Sequence, residues 1–325
     1  MFKLLLLFAA QHGVKIVQNC KLETVLSANG KITGVRTNMG TVQCENFVNT
    51  AGFWARHIGT LSTPRVQVPM HPAEHYYLHS KPVSFLPSNS PVVRDPDGHI
   101  YFREKGGCVL AGGFEPVAKP AFEDGNLPTS SKSRQLQADW DHFFILLDAI
   151  LKRLPPMEDA VLGALTNGPE AFSPDGQWIL GQSPEIQNYF VAAAMRSIGA
   201  GAAGGVGEAI ANHIVEGRPP FDMYNLDTQR FLPMHNNRKF LRDRVHEVPG
   251  KLYAIPYPFQ EFRTGRAQRT TPIFTKLRAY GARFNQVMGY ERAMYFKKEE
   301  APLDLSYFGL GEDFKKASDP ITQDQ

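Results

Sequence analysis

The residues with the clearest chemical potential lie between Asn188 and Gly217, in the run NYFVAAAMRSIGAGAAGGVGEAIANHIVEG. Tyr189-Phe190-Val191 reads as a strand, and glycines follow at 199, 201, 204, 205 and 207. An alanine-rich helical pattern from about Val206 stops at Gly217. Glycines in a loop between strand and helix let a bound group come close to the backbone, and the helix N-terminus offers free N–H donors. Gly199-x-Gly201-x-x-Gly204 satisfies the dinucleotide fingerprint by letter. That fingerprint also needs a second strand after its helix, ending in an acidic residue for the ribose. Asp222 and Asp227 fall near the right distance, but Pro219-Pro220 excludes a central strand between them and the helix. The pyrophosphate reading fails on context.

Other chemistries find less support. The ten histidines show no HExxH or i, i+4 spacing, so no metal centre is expected. Cys20, Cys44 and Cys108 make neither a disulfide framework nor a CxxC site, and read as ordinary buried thiols of a reducing compartment. No Gly-x-Ser-x-Gly elbow suggests a hydrolase. With a net charge of +3 and scattered basic residues, the chain shows no nucleic-acid patch. The 325 residues, 42% apolar and 21% charged, suffice for one large or two modest globular domains. MFKLLLLFAA is too short to span a bilayer and lacks a convincing cleavage site, so it reads as the end of a buried helix, with a signal peptide as the alternative.

The elements that would position the glycine segment are mixed. Val14–Val17, Leu22–Leu26, Ile32–Thr37 and an alternating run from Thr41 to Val48 read as strands, with Asn29-Gly30 as a hairpin turn. Phe53–Ile58 starts a helix. Short β segments follow at Val66–Met70, His75–His79, Pro91–Arg94, Ile100–Arg103 and Cys108–Gly113. Residues 131–154 are expected to be helical, with Trp140, Phe143, Phe144, Leu147, Ile150 and Leu151 on the core side, and Pro155-Pro156 stopping the helix. Ser173-Pro174-Asp175-Gly176 is a turn before a strand at Trp178–Gly181. A differently composed unit, rich in Arg, Phe, Tyr and Pro, runs from 226 to 298, and the polar tail 299–325 shows no periodicity.

Phe47-Val48-Asn49-Thr50-Ala51-Gly52-Phe53-Trp54-Ala55 resembles a strand-turn of the glycine-oxidase/sarcosine-oxidase superfamily of flavoproteins. GVKIVQNCKLETVLSANGKITGVRTNMG resembles that family's strands beside the adenine side of the flavin, Phe172–Gly176 its "fTPDg" segment, and Met195–Gly205 its loop under the isoalloxazine. Phe240–Val245, Arg263–Phe274 and Gly289–Phe296 resemble a middle domain of one branch, comprising dimethylglycine and sarcosine dehydrogenases and the regulatory subunits of pyruvate dehydrogenase phosphatase. Ala73–Leu78, Ala111–Glu115 and Asp139–Phe143 look most like the regulatory line.

The resemblance implies a mixed α/β (α+β) fold. A partial FAD-binding domain would occupy 1–225, with an inserted antiparallel substrate-cap sheet at about 61–165, followed by a small middle domain at 226–298. The first βαβ unit is expected upstream of residue 1 and a folate-binding domain downstream of about residue 300. FAD is the implied cofactor, with Val25, Ala51, Gly52, Trp54, Pro174, Asp175, Ser197, Gly199, Gly201, Gly204 and Gly205 near it. His75 and Tyr77 match a histidine-x-tyrosine of the family's pocket, and the alternative is an ordinary strand pair. Arg196 stands where the dehydrogenases carry Asn beside the flavin; it either favours the reduced, anionic flavin or points to solvent. For a dehydrogenase, the chemistry is hydride loss from an N-methyl carbon to the flavin. The regulatory line implies instead a phosphatase catalytic subunit as partner, in the mitochondrial matrix. An inactive partial product is the third reading.

Overall fold

Strong pairing signals set up the first sheet. Asn29 and Gly30 both take left-handed backbone (φ 50° and 75°), which closes the two-residue turn between β1 (Leu22–Ala28) and β2 (Lys31–Thr37). β3 (Gly40–Gln43) adds the third antiparallel strand. The computed structural model describes residues 2–128 and 135–297. The alternating run 41–48 does not stay in one sheet: it breaks after Gln43, and β4 (Phe47–Asn49) leaves to pair parallel with β11 (Tyr189–Ala193). β10 (Ile179–Gln182) pairs antiparallel on the far side of β11, completing the order β10-β11-β4. β11 is buried at every residue, as its continuous apolar run demands. Gly52–Trp54 form a 3-10 turn that runs into α2 (Ala55–Gly59).

The largest sheet is antiparallel, in the order β6-β7-β8-β5-β9, comprising β5 (His71–Pro82), β6 (Val93–Asp95), β7 (Ile100–Lys105), β8 (Cys108–Gly113) and β9 (Leu162–Phe172). The expected cap sheet is thus present. β9, which pairs with β5 along its length, has no clear alternation in LGALTNGPEAF and escapes sequence reading. α3 (Trp140–Arg153) covers one face. The Asp139 carboxylate accepts from the His142 N–H at 2.9 Å and caps it. Phe143, Leu146 and Ile150 are buried against Tyr76, Leu78, Phe102 and Val109.

Several expectations are corrected. Residues 135–139 are not helical, so the helix begins at Trp140, and 131–134 lie outside the described residues. Trp140 and Phe144 are largely exposed, because the core stripe runs through 143, 146 and 150. Val14–Val17 and Val66–Met70 form no strand; the first is exposed, and the second packs as irregular chain, with Val66, Val68 and Met70 buried. α1 (Phe2–Gln11) is not buried: Leu4 to Phe8 are 47–70% exposed, because no other described element covers them. Cys20 is exposed and Cys44 and Cys108 are only partly buried. Above all, the five glycines do not form a loop. α4 spans Gly199–Glu216 and contains all of them, with Gly217 (φ 70°) as its stop.

After α4 the chain forms α5 (Arg238–Val245), α6 (Val248–Tyr253), α7 (Phe274–Ala279) and the hairpin β12 (Ala282–Val287) and β13 (Tyr290–Phe296). Buried arginines hold this part together. Arg244 donates to the Pro174 carbonyl, Thr264 and Gln286. Arg266 holds the buried Glu291 carboxylate in a two-pronged pair at 2.9 and 2.6 Å. The tail 299–325 lies outside the described residues, and no described helix is long and apolar enough to cross a membrane.

Candidate functional site

Strand alternation sends His75 and Tyr77 to the face of the large sheet opposite α3. They open on a cavity of about 410 Å³, with Tyr101 and Lys105 from β7 and Glu170 from β9. The rest of its wall is Leu110, Phe114, Ser197 and Tyr253, the last residue of α6. Register places these groups. Ala73 pairs with Glu170, so Glu170 shares the side of β5 that carries His75 and Tyr77. Tyr101 lies across β8 at Gly112, where an added Cβ would stand 2.7 Å from its hydroxyl and 2.6 Å from the Tyr76 carbonyl. A glycine is required there.

His75 Nε2 is hydrogen-bonded to the Tyr101 hydroxyl at 3.0 Å, and its ring stacks on Phe114 at 4.5 Å. Tyr253 stacks on the other partner surface of Phe114 at 3.6 Å and 5°. The Tyr253 hydroxyl donates to the Arg196 carbonyl at 3.3 Å, and the Ser197 hydroxyl donates to the Glu170 carboxylate. Burial first, then the Glu170 charge, pushes the Tyr101 and Tyr253 phenols up, which keeps both protonated as donors. The turn leading to Ser197 is strained: Ala194, Arg196 and Ser197 all have left-handed backbone, at φ 58°, 39° and 67°. A histidine–phenol pair, a carboxylate and further hydroxyls can orient a small polar molecule and exchange a proton with it.

Of the residues singled out from sequence, His75, Tyr77 and Ser197 come together here. Arg196, next to Ser197, is partly buried, and its Nε is buried without a hydrogen-bond partner. Tyr101, Glu170, Phe114, Lys105 and Leu110 were not foreseen. The alternation of β7 could have indicated Tyr101, whereas Glu170 depends on the register of β9, which carries no alternation of its own. Nothing local could have indicated Tyr253.

The residues named for a cofactor separate into two groups. Ala51, Gly52 and Trp54 follow β4, and Ser197 and the glycines follow β11; Val191 pairs with Asn49 in parallel, so both segments leave the same carboxyl edge. Cβ atoms at Gly52, Gly201, Gly204 and Gly205 would meet nothing within 4 Å, whereas Gly199 faces Met195 at 3.2 Å. Val25, Pro174 and Asp175 are used by the fold. The Val25 N–H donates to the Leu61 carbonyl. Pro174 accepts from Arg244, and the Asp175 carboxylate takes two prongs of Arg230 at 2.7 and 3.0 Å.

The model of the FAD dependent oxidoreductase family matches residues 2–213, and that of the FAD dependent oxidoreductase central domain matches 216–271. The chain belongs to the FAD-dependent oxidoreductase family. It is 41% identical over 289 residues to the mouse mitochondrial pyruvate dehydrogenase phosphatase regulatory subunit, covering 89% of this chain and 33% of that protein. It is 34% identical to 4-methylaminobutanoate oxidase (formaldehyde-forming) of Paenarthrobacter nicotinovorans, over 87% of this chain and 34% of the relative. Mouse mitochondrial sarcosine dehydrogenase is 30% identical over 93% of this chain and 33% of its own length. The chain therefore spans about a third of the length of these relatives. Among solved structures, L-proline dehydrogenase of P. horikoshii superposes with a TM-score of 0.58 at 22% identity (69% of this chain, 57% of the other). Glycine oxidase of Geobacillus kaustophilus gives 0.54 at 21% (68% and 54%). Both show the fold.

The family's FAD can be set against these residues. The open glycine face of α4 and the turn at Gly52, on one carboxyl edge of parallel strands, fit a flat ligand pressed to backbone. Asp175 and Pro174 serve the fold as well, accepting from the buried Arg230 and Arg244.

Proposed function

We propose that the chain is the flavin-family part of a regulatory, flavoprotein-like subunit that modulates pyruvate dehydrogenase phosphatase in the mitochondrial matrix, beside a phosphatase catalytic subunit. The observation that carries this reading is the 41% identity over 289 residues to the mouse regulatory subunit, against 34% and 30% to the oxidase and the dehydrogenase. In this reading the flavin-family domain occupies 1–225 and the middle domain 226–298. Ala51, Gly52, Trp54, Ser197 and the glycines of α4 hold the FAD, which supplies hydride acceptance when bound. Val25, Pro174 and Asp175 shape the frame around it.

The test is co-purification of the chain with a phosphatase catalytic subunit, scored together with the visible flavin absorbance. Retained binding to the subunit supports the regulatory reading. Loss of binding, with a stoichiometric flavin spectrum that bleaches on adding dimethylglycine, sinks it.

The cavity favours a second reading, an FAD-dependent dehydrogenase of dimethylglycine or sarcosine. The hydrogen-bonded His75–Tyr101 pair beside Glu170 would orient the amine and hold its proton, with Tyr77 and Tyr253 excluding water. Bleaching that is lost in His75→Gln and Tyr101→Phe would establish it.

A further inference from the structure

The sharpest electrostatic imbalance lies away from the cavity, where α2, α5 and the start of β5 meet. Arg56 of α2 is half-buried, and its guanidinium is fixed by two bonds to Asn236, to the side-chain oxygen at 3.0 Å and to the carbonyl at 2.9 Å. The next residue, Asn237, caps α5 by accepting from the Phe240 N–H at 3.0 Å. Arg238 and Arg242 follow, one turn apart on α5. The first turn of α5 holds no acidic residue, so cations sit at the positive end of the helix dipole, where anions belong.

α5 packs on β5, whose first residue, His71, is 8% exposed. One side of the imidazole bonds the Ala121 backbone, and Nε2 is buried without a partner. Arg56, Arg238 and Arg242 all lie within electrostatic reach of this ring, and Arg238 also lowers the Arg56 pKa. Arg238 lies so close over the turn at Gly125 that a Cβ there would collide with it.

Few carboxylates offset this charge. No described acidic residue pairs with Arg56 or Arg238 within 4.0 Å; Asp243 pairs with Arg242 at 3.3 Å but is shared with Lys239 at 2.6 Å. The exposed Asp124 lies within electrostatic reach of Arg238. Arg56, Arg238, Arg242 and Lys239 against Asp124 and Asp243 leave an excess of two positive charges. Like charges crowded on a half-buried surface cost free energy unless an anion joins them. Planar guanidiniums match the oxygens of a phosphate in particular.

We propose that Arg56, Arg238 and Arg242, around His71 and the N-terminus of α5, form a binding site for a phosphate group. None of its residues lines the cavity. Its ligand is a free phosphate or a small phosphate ester; a bound nucleotide cofactor is the second source of the same chemistry.

The test titrates the chain with inorganic phosphate, against sodium chloride at matched ionic strength, following the melting temperature and the His71 imidazole by NMR. Saturable stabilisation in phosphate, absent in chloride, is expected. The His71 pKa, held at about 4, should rise as the anion offsets the arginines. Arg238→Gln, at an exposed position, should weaken phosphate binding by about tenfold, the worth of one charge-assisted hydrogen bond. Lys276→Gln/Arg278→Gln, on the exposed side of α7, should leave it unchanged. No saturable binding, or equal losses in both variants, would overturn the site. Competition by added FAD would assign the phosphate to the cofactor, and its absence to a separate ligand; both results require the site.

Discussion

The two faces of β5 carry opposite kinds of surface. Its even-numbered residues, Tyr76 and Leu78, are fully buried under α3 among Phe143, Leu146 and Ile150. Its odd-numbered residues, His75 and Tyr77, line an open cavity with Tyr101 and Glu170. A strand alternates strictly, so one stretch of sequence serves a sealed core and a chemical site together. The difference teaches that stability and function are separable here by parity: damage to one face should spare the other.

The largest expected effect breaks the sealed face. Phe143→Ala removes a fully buried ring and should cost about 3–5 kcal/mol in urea unfolding. A loss under about 1 kcal/mol would show that α3 is not the keystone of this core.

pH should distinguish the faces next. His142, on the α3 side, bonds the buried Glu115 carboxylate at 2.7 Å, and this bond raises its pKa. Its stabilisation is full below the usual 6.5 and is lost as pH rises through the higher folded value. His71, on the odd-numbered side, is pushed down to about 4 by burial and then by the nearby arginines. Here stability falls as pH drops from 6.5 towards 4, because the unfolded chain takes the proton first. Melting temperatures across pH should therefore fall on both sides, with His142→Gln flattening the alkaline limb and His71→Gln the acid limb.

On the cavity face, Tyr101→Phe deletes one hydrogen bond to His75 and should cost only about 0.5–1.5 kcal/mol. A much larger loss would mean that the cavity face is structural after all. Smallest is Gly205→Ala, where an added Cβ meets nothing within 4 Å in the middle of α4. It should stabilise the chain by about 0.5–1 kcal/mol through helix propensity, read as a higher melting temperature. If FAD lies on this face, the same methyl should weaken flavin retention.

Much of the frame was legible beforehand. Asn29-Gly30 announced its hairpin, and Cys108–Gly113 appeared at its bounds as a strand. The failures have physical causes. Val66–Met70 carries a strand's composition, but its apolar residues are buried without a pairing partner. LGALTNGPEAF lacks alternation, yet becomes a long strand because β5 offers it a partner along its length. Glycines suggested a loop at 199–207, yet the sequence between them is largely alanine and the helix runs through.

By itself, the sequence determined the Asn29-Gly30 hairpin and several strands such as Cys108–Gly113, because turn chemistry and period-two patterning are local. The family, the inserted sheet and the pairing of His75 with Tyr77 followed from resemblance of motifs. The tertiary structure decided what those residues face. Glu170 joins His75 in the cavity wall only through strand register, Tyr253 arrives from a helix nearly two hundred residues later, and Asp175 bonds Arg230. Which groups meet across long separations is set by packing, which no local pattern encodes.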